Sequence, residues 1–329
     1  MYNILMLTTG GTIMSTQTEE GYAPAAPEVL LSQMGEVAKD YHVTVKEILR
    51  LDSSNIQPEE WKIIAQEVYN AGTLYDGIVI VHGTDTMSYT AAMLSFMLRN
   101  LPIPVVLTGS QVPVGQPFSD AIPNLCCAFA MAASSAPGVF IAFDRKIILG
   151  TRAVKVRTTG FNAFESINAP NAGVIDASGL HIDYDILVAP EGKYMLEDNY
   201  SSDVFLLKLT PATDPSIIDK LIDMGYKGIV IEAFGLGGIQ FMRRDFIAKL
   251  ERARANGVAI VVCSQCLYER SDFSLYQVGQ KVMQTGAIQA FDMTSEAAVT
   301  KLMWALGQTD DMEKVRFIFE TNYAGEVTL

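Results

Sequence analysis

The stretch Ile78-Val79-Ile80-Val81-His82-Gly83-Thr84-Asp85-Thr86-Met87 joins an apolar, β-branched run to a glycine-loosened polar turn, and a helical period follows over Ser88–Leu98. A four-residue apolar run closed by a turn reads as a strand buried on both faces. A strand feeding a helix is half of a parallel crossover unit. The same grammar appears twice more. Ile4-Leu5-Met6-Leu7 runs into Thr8-Thr9-Gly10-Gly11-Thr12-Ile13, and Val105–Leu107 runs into Thr108-Gly109-Ser110-Gln111. Each turn places hydroxyls at the carboxyl end of an expected parallel strand, where open α/β sheets put their chemistry.

Outward from these turns, Val43–Leu49 and Val139–Ala142 also read as strands. Glu28–Lys39, Pro58–Asn70, Ser88–Leu98 and Ala121–Ala133 read as helices. Pro58 followed by Glu59-Glu60 is a strong helix start, with φ preset and carboxylates at the positive helix end. Pro190–Asp203 is polar and aperiodic. Beyond it, strands are expected at Val204–Leu209, Gly228–Ile231 and Val258–Val262, with helices at Pro215–Met224, Phe241–Asn256 and Thr294–Leu306. The expected fold class is α/β, with two α/β domains. The larger N-terminal domain (1–189) carries a doubly wound, mostly parallel sheet. A linker (190–203) leads to a smaller C-terminal parallel-sheet domain (204–329).

A chain of 329 residues with 49% hydrophobic and 19% charged residues is ordinary for a soluble globular protein. Its net charge of -13 argues against nucleic acid or an anionic membrane as partner. No basic leader precedes Ile4–Leu7, which is too short for a signal-peptide core, and no apolar stretch could span a bilayer. Four cysteines (Cys126, Cys127, Cys263, Cys266) are too few for a disulfide framework, so the expected location is cytoplasmic. Cys263 and Cys266 have CxxC spacing, but no second pair and no nearby histidine completes a metal site. Cys263 ends a strand and is expected to be a buried structural thiol. The expected cofactor and metal content is none.

Each polar turn has a bland reading beside a functional one. Gly10-Gly11 could cradle phosphate, but the Walker lysine and GxGxxG are absent. Asp52-Ser53-Ser54-Asn55 could grip a zwitterion or cap the Pro58 helix. His82 is expected to be a satisfied core residue. Asp85 could hold an ammonium, orient a hydroxyl or cap a helix. A polar segment, Ser15–Glu20, leads to Gly21-Tyr22 and could form a lid. A threonine nucleophile needs a partner to take its proton. The candidates are Lys146, Lys155 and the loop carboxylates; Lys155, between Val154 and Val156, could pair with Asp85 or snorkel from a strand edge.

Taken together, TTGGTI, DSSN, HGTDTM and TGSQ, in this order and along the whole chain, resemble the bacterial-type asparaginase family. Phe161–Ser166, Gln265-Cys266 and Gly325–Thr328 are similar to its type I, cytoplasmic branch. The resemblance implies an amidohydrolase converting L-asparagine to L-aspartate and ammonia through a threonine acyl-enzyme, without a cofactor. Thr12 would be the nucleophile, Tyr22 its lid partner, and Thr84, Asp85 and Lys155 a relay. Gly11, Asp52, Ser53, Ser54, Asn55, Gly83, Thr84, Asp85 and Ser110 would bind the substrate, with backbone amides near Gly11 and Thr84 meeting the oxyanion. Family members are usually homotetramers, which implies a homo-oligomer, dimer or tetramer. Some type I members carry a regulatory asparagine site. Here Cys266 fits it, but Glu232 and Val154 replace an arginine and a threonine, so weak or absent activation is expected.

Two rivals remain. The amidase subunit of a tRNA-dependent amidotransferase would need an added N-terminal domain, for which Thr12 is expected to lie too near the start. An amino-acid-binding regulator on the same frame would have no use for Lys155 or a tyrosine lid. Asparagine against glutamine selectivity stays open, since one methylene discriminates only about 10- to 200-fold.

Overall fold

The computed structural model describes residues 1–18, 21–24 and 27–328. Described contacts divide the chain into two units, Met1–Asp198 and Asn199–Leu329.

The first unit is built on an eight-stranded sheet. Its strands are β1 (Tyr2–Gly10), β2 (Tyr41–Leu51), β3 (Gly77–Val81), β4 (Pro104–Thr108), β5 (Gly138–Phe143), β6 (Lys146–Leu149), β9 (Gly173–Asp176) and β10 (Gly179–Ile182). Between β6 and β9 a separate hairpin pairs β7 (Ala153–Lys155) with β8 (Phe164–Ser166). The sheet order is β10-β9-β6-β5-β4-β3-β1-β2. The five strands from β5 to β2 are parallel, and β6, β9 and β10 add an antiparallel edge. β3 and β4 are buried throughout, as their unbroken apolar runs require.

After β1 the chain crosses to β2 on one side, then returns past β1 to β3 on the other. The strand order therefore reverses between β1 and β3. A crevice at the carboxyl ends of the strands is the usual ligand site at such a reversal. The turns carrying Thr12 and Thr84 lie at those two strand ends.

Helices α1 (Pro27–Met34), α2 (Pro58–Ala71), α3 (Met87–Met97) and α4 (Ala121–Ala132) cover the sheet. In α2, Pro58 opens the helix and the Gln57 amide donates to Glu60 Oε2 at 2.8 Å, half of a capping box. Trp61, Ile64, Ala65 and Val68 form its buried stripe. The helix expected over Glu28–Lys39 stops at Met34. Gly35 has φ of +58°, which ends α geometry, and a 3-10 stretch continues to Asp40.

The second unit has a parallel sheet ordered β11 (Val204–Lys208), β12 (Gly228–Ala233), β13 (Ala259–Ser264) and β14 (Ile288–Gln289). Its helices are α5 (Ser216–Asp223), α6 (Ile247–Ala255), α7 (Gln277–Gln284), α8 (Ser295–Gln308) and α9 (Met312–Phe319). The helix expected from Phe241 begins only at Ile247. The Asp245 carboxylate takes the Ile247 amide at 2.9 Å, and the Phe246 amide turns back to Gln240 O. Cys263 lies buried on β13, and burial pushes its thiol up to about 12. Among the described residues, no helix is long and apolar enough to cross a membrane.

Candidate active site

Four polar turns follow the four neighbouring parallel strands β4, β3, β1 and β2, so they share one rim. Glycine brings them into contact. Gly10 and Gly11 have φ of +109° and +87°. A Cβ on Gly10 would stand 2.4 Å from Leu51 O, and one on Gly11 would stand 2.5 Å from the Gly83 Cα. A Cβ on Gly83 would stand 2.6 Å from Ser53 Oγ. No side chain fits between these backbones, so the first, second and DSSN turns are locked together.

Thr12 opens a short 3-10 turn, Thr12–Met14, and its hydroxyl has no partner among the described residues. The Gly11 amide donates to Leu51 O at 3.1 Å, so that donor is already used. The Thr12 and Thr84 amides meet no acceptor among the described residues. Tyr22 falls within the short hairpin Ser15–Thr18 with Gly21–Pro24, and its side chain lies outside the described part of the structure, as do Glu19 and Glu20.

The second turn rests on a buried polar floor. His82 Nδ1 lies 2.6 Å from Gly83 O, and His82 Nε2 lies 3.0 Å from Thr90 Oγ1. Trp61 Nε1 donates to the same Thr90 oxygen at 3.0 Å. A carbonyl only accepts, so Nδ1 carries the imidazole hydrogen and Nε2 accepts from Thr90. Burial holds the His82 pKa down to about 4, so the ring is neutral at neutral pH. The expected core histidine is thus found, satisfied on both nitrogens.

Above that floor, Lys155 Nζ donates to Thr84 Oγ1 at 2.8 Å and to Asp85 Oδ1 at 2.6 Å. Thr84 is 7% exposed, while the Asp85 side chain is 61% exposed. An ammonium is thus fixed between a nearly buried hydroxyl and a carboxylate open to a ligand. Ser53 is buried and ties the turn down: its Oγ accepts from the Asp85 amide at 3.2 Å, and its carbonyl accepts from Thr86 Oγ1 at 2.7 Å.

Ser54 and Asp52 turn toward each other. Asp52 Oδ1 accepts from Ser54 Oγ at 2.6 Å and Ser54 N at 2.9 Å, which lowers the carboxyl pKa. Asp52 therefore caps the 3-10 turn Ser53–Asn55 and not the Pro58 helix, whose N-cap is Gln57. Ser54 and Asn55 are exposed. Ser110 is buried and its hydroxyl donates to Val112 O at 2.7 Å, within its own turn.

A cavity of about 580 Å³ opens beside the first, DSSN and TGSQ turns, lined by Gly10, Gly11, Thr12, Asp52, Arg50 and Gln111 among others. Arg50 and Gln111 were not among the residues expected from sequence. Gln111 closes the TGSQ turn, and its place in that motif was the available signal. Arg50 is one of several charged residues on the mixed strand Tyr41–Leu51, beside Lys46 and Glu47, and carries no such signal. Among the described residues, no three histidine, cysteine, aspartate or glutamate side chains are placed to hold a metal ion.

Comparison with known proteins follows the same layout. Residues 3–187 match the model of an asparaginase N-terminal domain, and residues 203–319 match that of a glutaminase/asparaginase C-terminal domain. The chain is 41% identical to an L-asparaginase of Thermococcus kodakarensis, with 99% of each chain covered. It is 40% identical to a glutamyl-tRNA(Gln) amidotransferase subunit from the same organism, covering 99% of this chain and 76% of the relative. The solved structure of a T. kodakarensis L-asparaginase superposes with a TM-score of 0.93 at 41% identity, covering 99% of each chain. L-asparaginase I of Vibrio cholerae gives 0.90 at 30% identity, over 100% of this chain and 99% of that one.

Proposed function

The chain belongs to the asparaginase family, and from that membership and the rim geometry we propose that it is an L-asparaginase, hydrolysing L-asparagine to L-aspartate and ammonia. The observation that carries this reading is Lys155 Nζ, held at once by Thr84 Oγ1 and Asp85 Oδ1. In this reading Thr12 Oγ attacks the side-chain amide carbon, with its proton passing to a neighbour, and Tyr22 closes over it. The carbonyl oxygen becomes an oxyanion. The Thr84 and Thr12 amides, free of other described acceptors, supply the donors. The C–N bond breaks as a proton passes from Thr84 to the leaving nitrogen, and Lys155 replaces it. Water then attacks the β-aspartyl ester: its proton returns to Lys155 through Thr84, the acyl–Oγ bond breaks, and Thr12 takes back its own proton from the neighbour.

Asp85, exposed on one side, takes the α-ammonium, with Asn55 nearby. Ser54 and the backbone at Ser53 take the α-carboxylate. Gly83 and Ser110 shape the amide end, and Gly11 with Asp52 borders the cavity. Supporting the wider reading, the charge of -13 disfavours nucleic-acid and anionic-membrane partners. The working form is a cytoplasmic homo-oligomer, dimer or tetramer.

Thr12→Ala tests the reading. Ammonia release from asparagine falls by at least about 10⁴-fold, the scale of removing a covalent nucleophile. The variant still unfolds at the parent's temperature. Retained turnover removes Thr12 from the nucleophile role. A parent that binds asparagine without releasing ammonia favours the amino-acid-binding regulator.

A further inference from the structure

The Gln111 side chain is fixed at both ends. Its Nε2 donates to Thr158 O and to Gly160 O, each at 3.1 Å. Both partners only accept, so the nitrogen must face them and Oε1 must face the other way. That oxygen accepts from Thr84 Oγ1 at 3.5 Å, a long contact of the kind that tightens when a site is occupied. The Gln111 backbone is anchored too: the buried Asp120 carboxylate takes the Gln111 amide at 3.0 and 3.1 Å and the Val112 amide at 3.1 Å.

Thr158 and Gly160 belong to the loop joining β7 to β8, and Lys155 is the last residue of β7. The base of this hairpin is held by Phe164, buried against Phe143. Its tip is exposed at Arg157, Thr158 and Thr159. Two carbonyls of this exposed tip are gripped by the residue whose other end meets Thr84.

The Thr84 hydroxyl has one hydrogen. Lys155 Nζ donates to its oxygen at 2.8 Å, so that hydrogen points elsewhere, toward Gln111 on the cavity wall. We propose that Gln111 is a positioning residue that clamps the tip of the Lys155 hairpin and holds the Thr84 hydroxyl hydrogen on the side away from Lys155, from where it passes to the leaving nitrogen. Lysine, threonine and the leaving nitrogen then align for one proton to move along the row. This role rests on the reading of Thr84 and Lys155 as a relay.

Three variants and two readouts test it. Gln111→Leu lowers kcat on asparagine about tenfold while KM stays within about threefold, because the contact serves the transition state more than binding. Its deficit is the same at every pH. Gln111→Glu turns a carboxylate oxygen on the two carbonyls. Once protonated, that oxygen becomes a donor again, so this variant's deficit shrinks from about pH 7 toward pH 5, nearer the ordinary glutamate range of about 4.3. Arg157→Ala removes the hairpin's own contacts to Asn162 O and Glu165 and keeps kcat within twofold of the parent. The second readout is hydrogen exchange of the Val156 amide, which donates to Ala163 O at 2.8 Å. It speeds up about tenfold in Gln111→Leu, whether or not the protein turns over asparagine.

Unchanged exchange, a kcat within twofold of the parent in Gln111→Leu, or an equal loss in Arg157→Ala overturns the inference. A parent inactive on asparagine instead overturns the function reading, and the exchange result still decides whether Gln111 clamps the hairpin.

Discussion

Lys155 and Lys301 each place Nζ 2.6 Å from a carboxylate oxygen, of Asp85 in the first unit and of Glu326 in the second. The Lys301 pair is sealed, with both side chains at 0% exposure. Lys301 also donates to Thr321 O at 2.8 Å and Phe319 O at 3.3 Å, and the Phe319 and Tyr323 rings flank it. Glu326 accepts the Tyr323 and Ala324 amides as well. The ends of that pair are met by main chain, which cannot pass a proton onward. The Lys155 pair is open instead. Asp85 is mostly exposed, and the third group is the Thr84 hydroxyl, which can both give and take a proton. One geometry thus serves as a staple where the backbone closes it. In the proposed reading it serves as a relay where a hydroxyl and an exposed carboxylate open it.

The largest effect separates the two on activity. Lys155→Met removes the relay's cation and is expected to lower kcat by about 10³-fold or more, within the range of general acid–base groups. Its thermal midpoint stays within a few degrees of the parent's, because a pair exposed on one side contributes little to stability. A variant that melts early, with activity tracking its folded fraction, would make Lys155 a second staple and erase the contrast.

Next comes the converse. Lys301→Met strands the Glu326 carboxylate in the interior, and breaking a buried pair this way costs about 3–5 kcal/mol. Urea unfolding should show the second unit failing first. Adding Glu326→Gln removes the stranded charge and restores much of the loss. If the double variant is as weak as the single one, the loss lies in packing rather than in charge.

The contrast was only half legible in the sequence. Lys155 breaks an apolar run, Ala153-Val154-Lys155-Val156, which leaves both snorkelling from a strand edge and pairing with Asp85 open, and the pairing is what the structure holds. Lys301 sits in α8, where a lysine every few residues is unremarkable, and the tail that buries it returns from 25 residues away. The inner parallel strands β3 and β4 are readable because strands buried on both faces need continuous apolar runs. The hairpins β7–β8 and β9–β10 have strands of three or four mixed residues whose pairing comes from the fold, and no periodicity marks them. α7 and α9 have too few turns for a clear period: each is an eight-residue helix, and α9 starts where the Asp311 carboxylate takes the Glu313 and Lys314 amides. Gln111 was visible as a motif letter. Its grip on a loop 47 residues away was not.

The smallest effect concerns what lies under the relay. The active rim carries charge on Lys155 and Asp85, while the floor at His82 is neutral, with a pKa held to about 4 against about 6.5 for an unfolded chain. Between those values the unfolded chain binds a proton that the folded one refuses. This contribution to stability is therefore whole above about pH 6.5 and is lost as pH falls through that window to about 4. A shift of that size corresponds to about 3 kcal/mol at most. Carboxylates elsewhere titrate in the same range, so the parent's slope alone is ambiguous. His82→Asn resolves it, since the amide can still donate to Gly83 O but takes no proton. The gap between parent and variant urea midpoints should narrow from pH 7 to pH 4.5. Parallel midpoints would mean that the folded ring accepts its proton as readily as the unfolded one. The Thr84 turn would then stand on a charge, and the division between a charged relay and a neutral floor would fail.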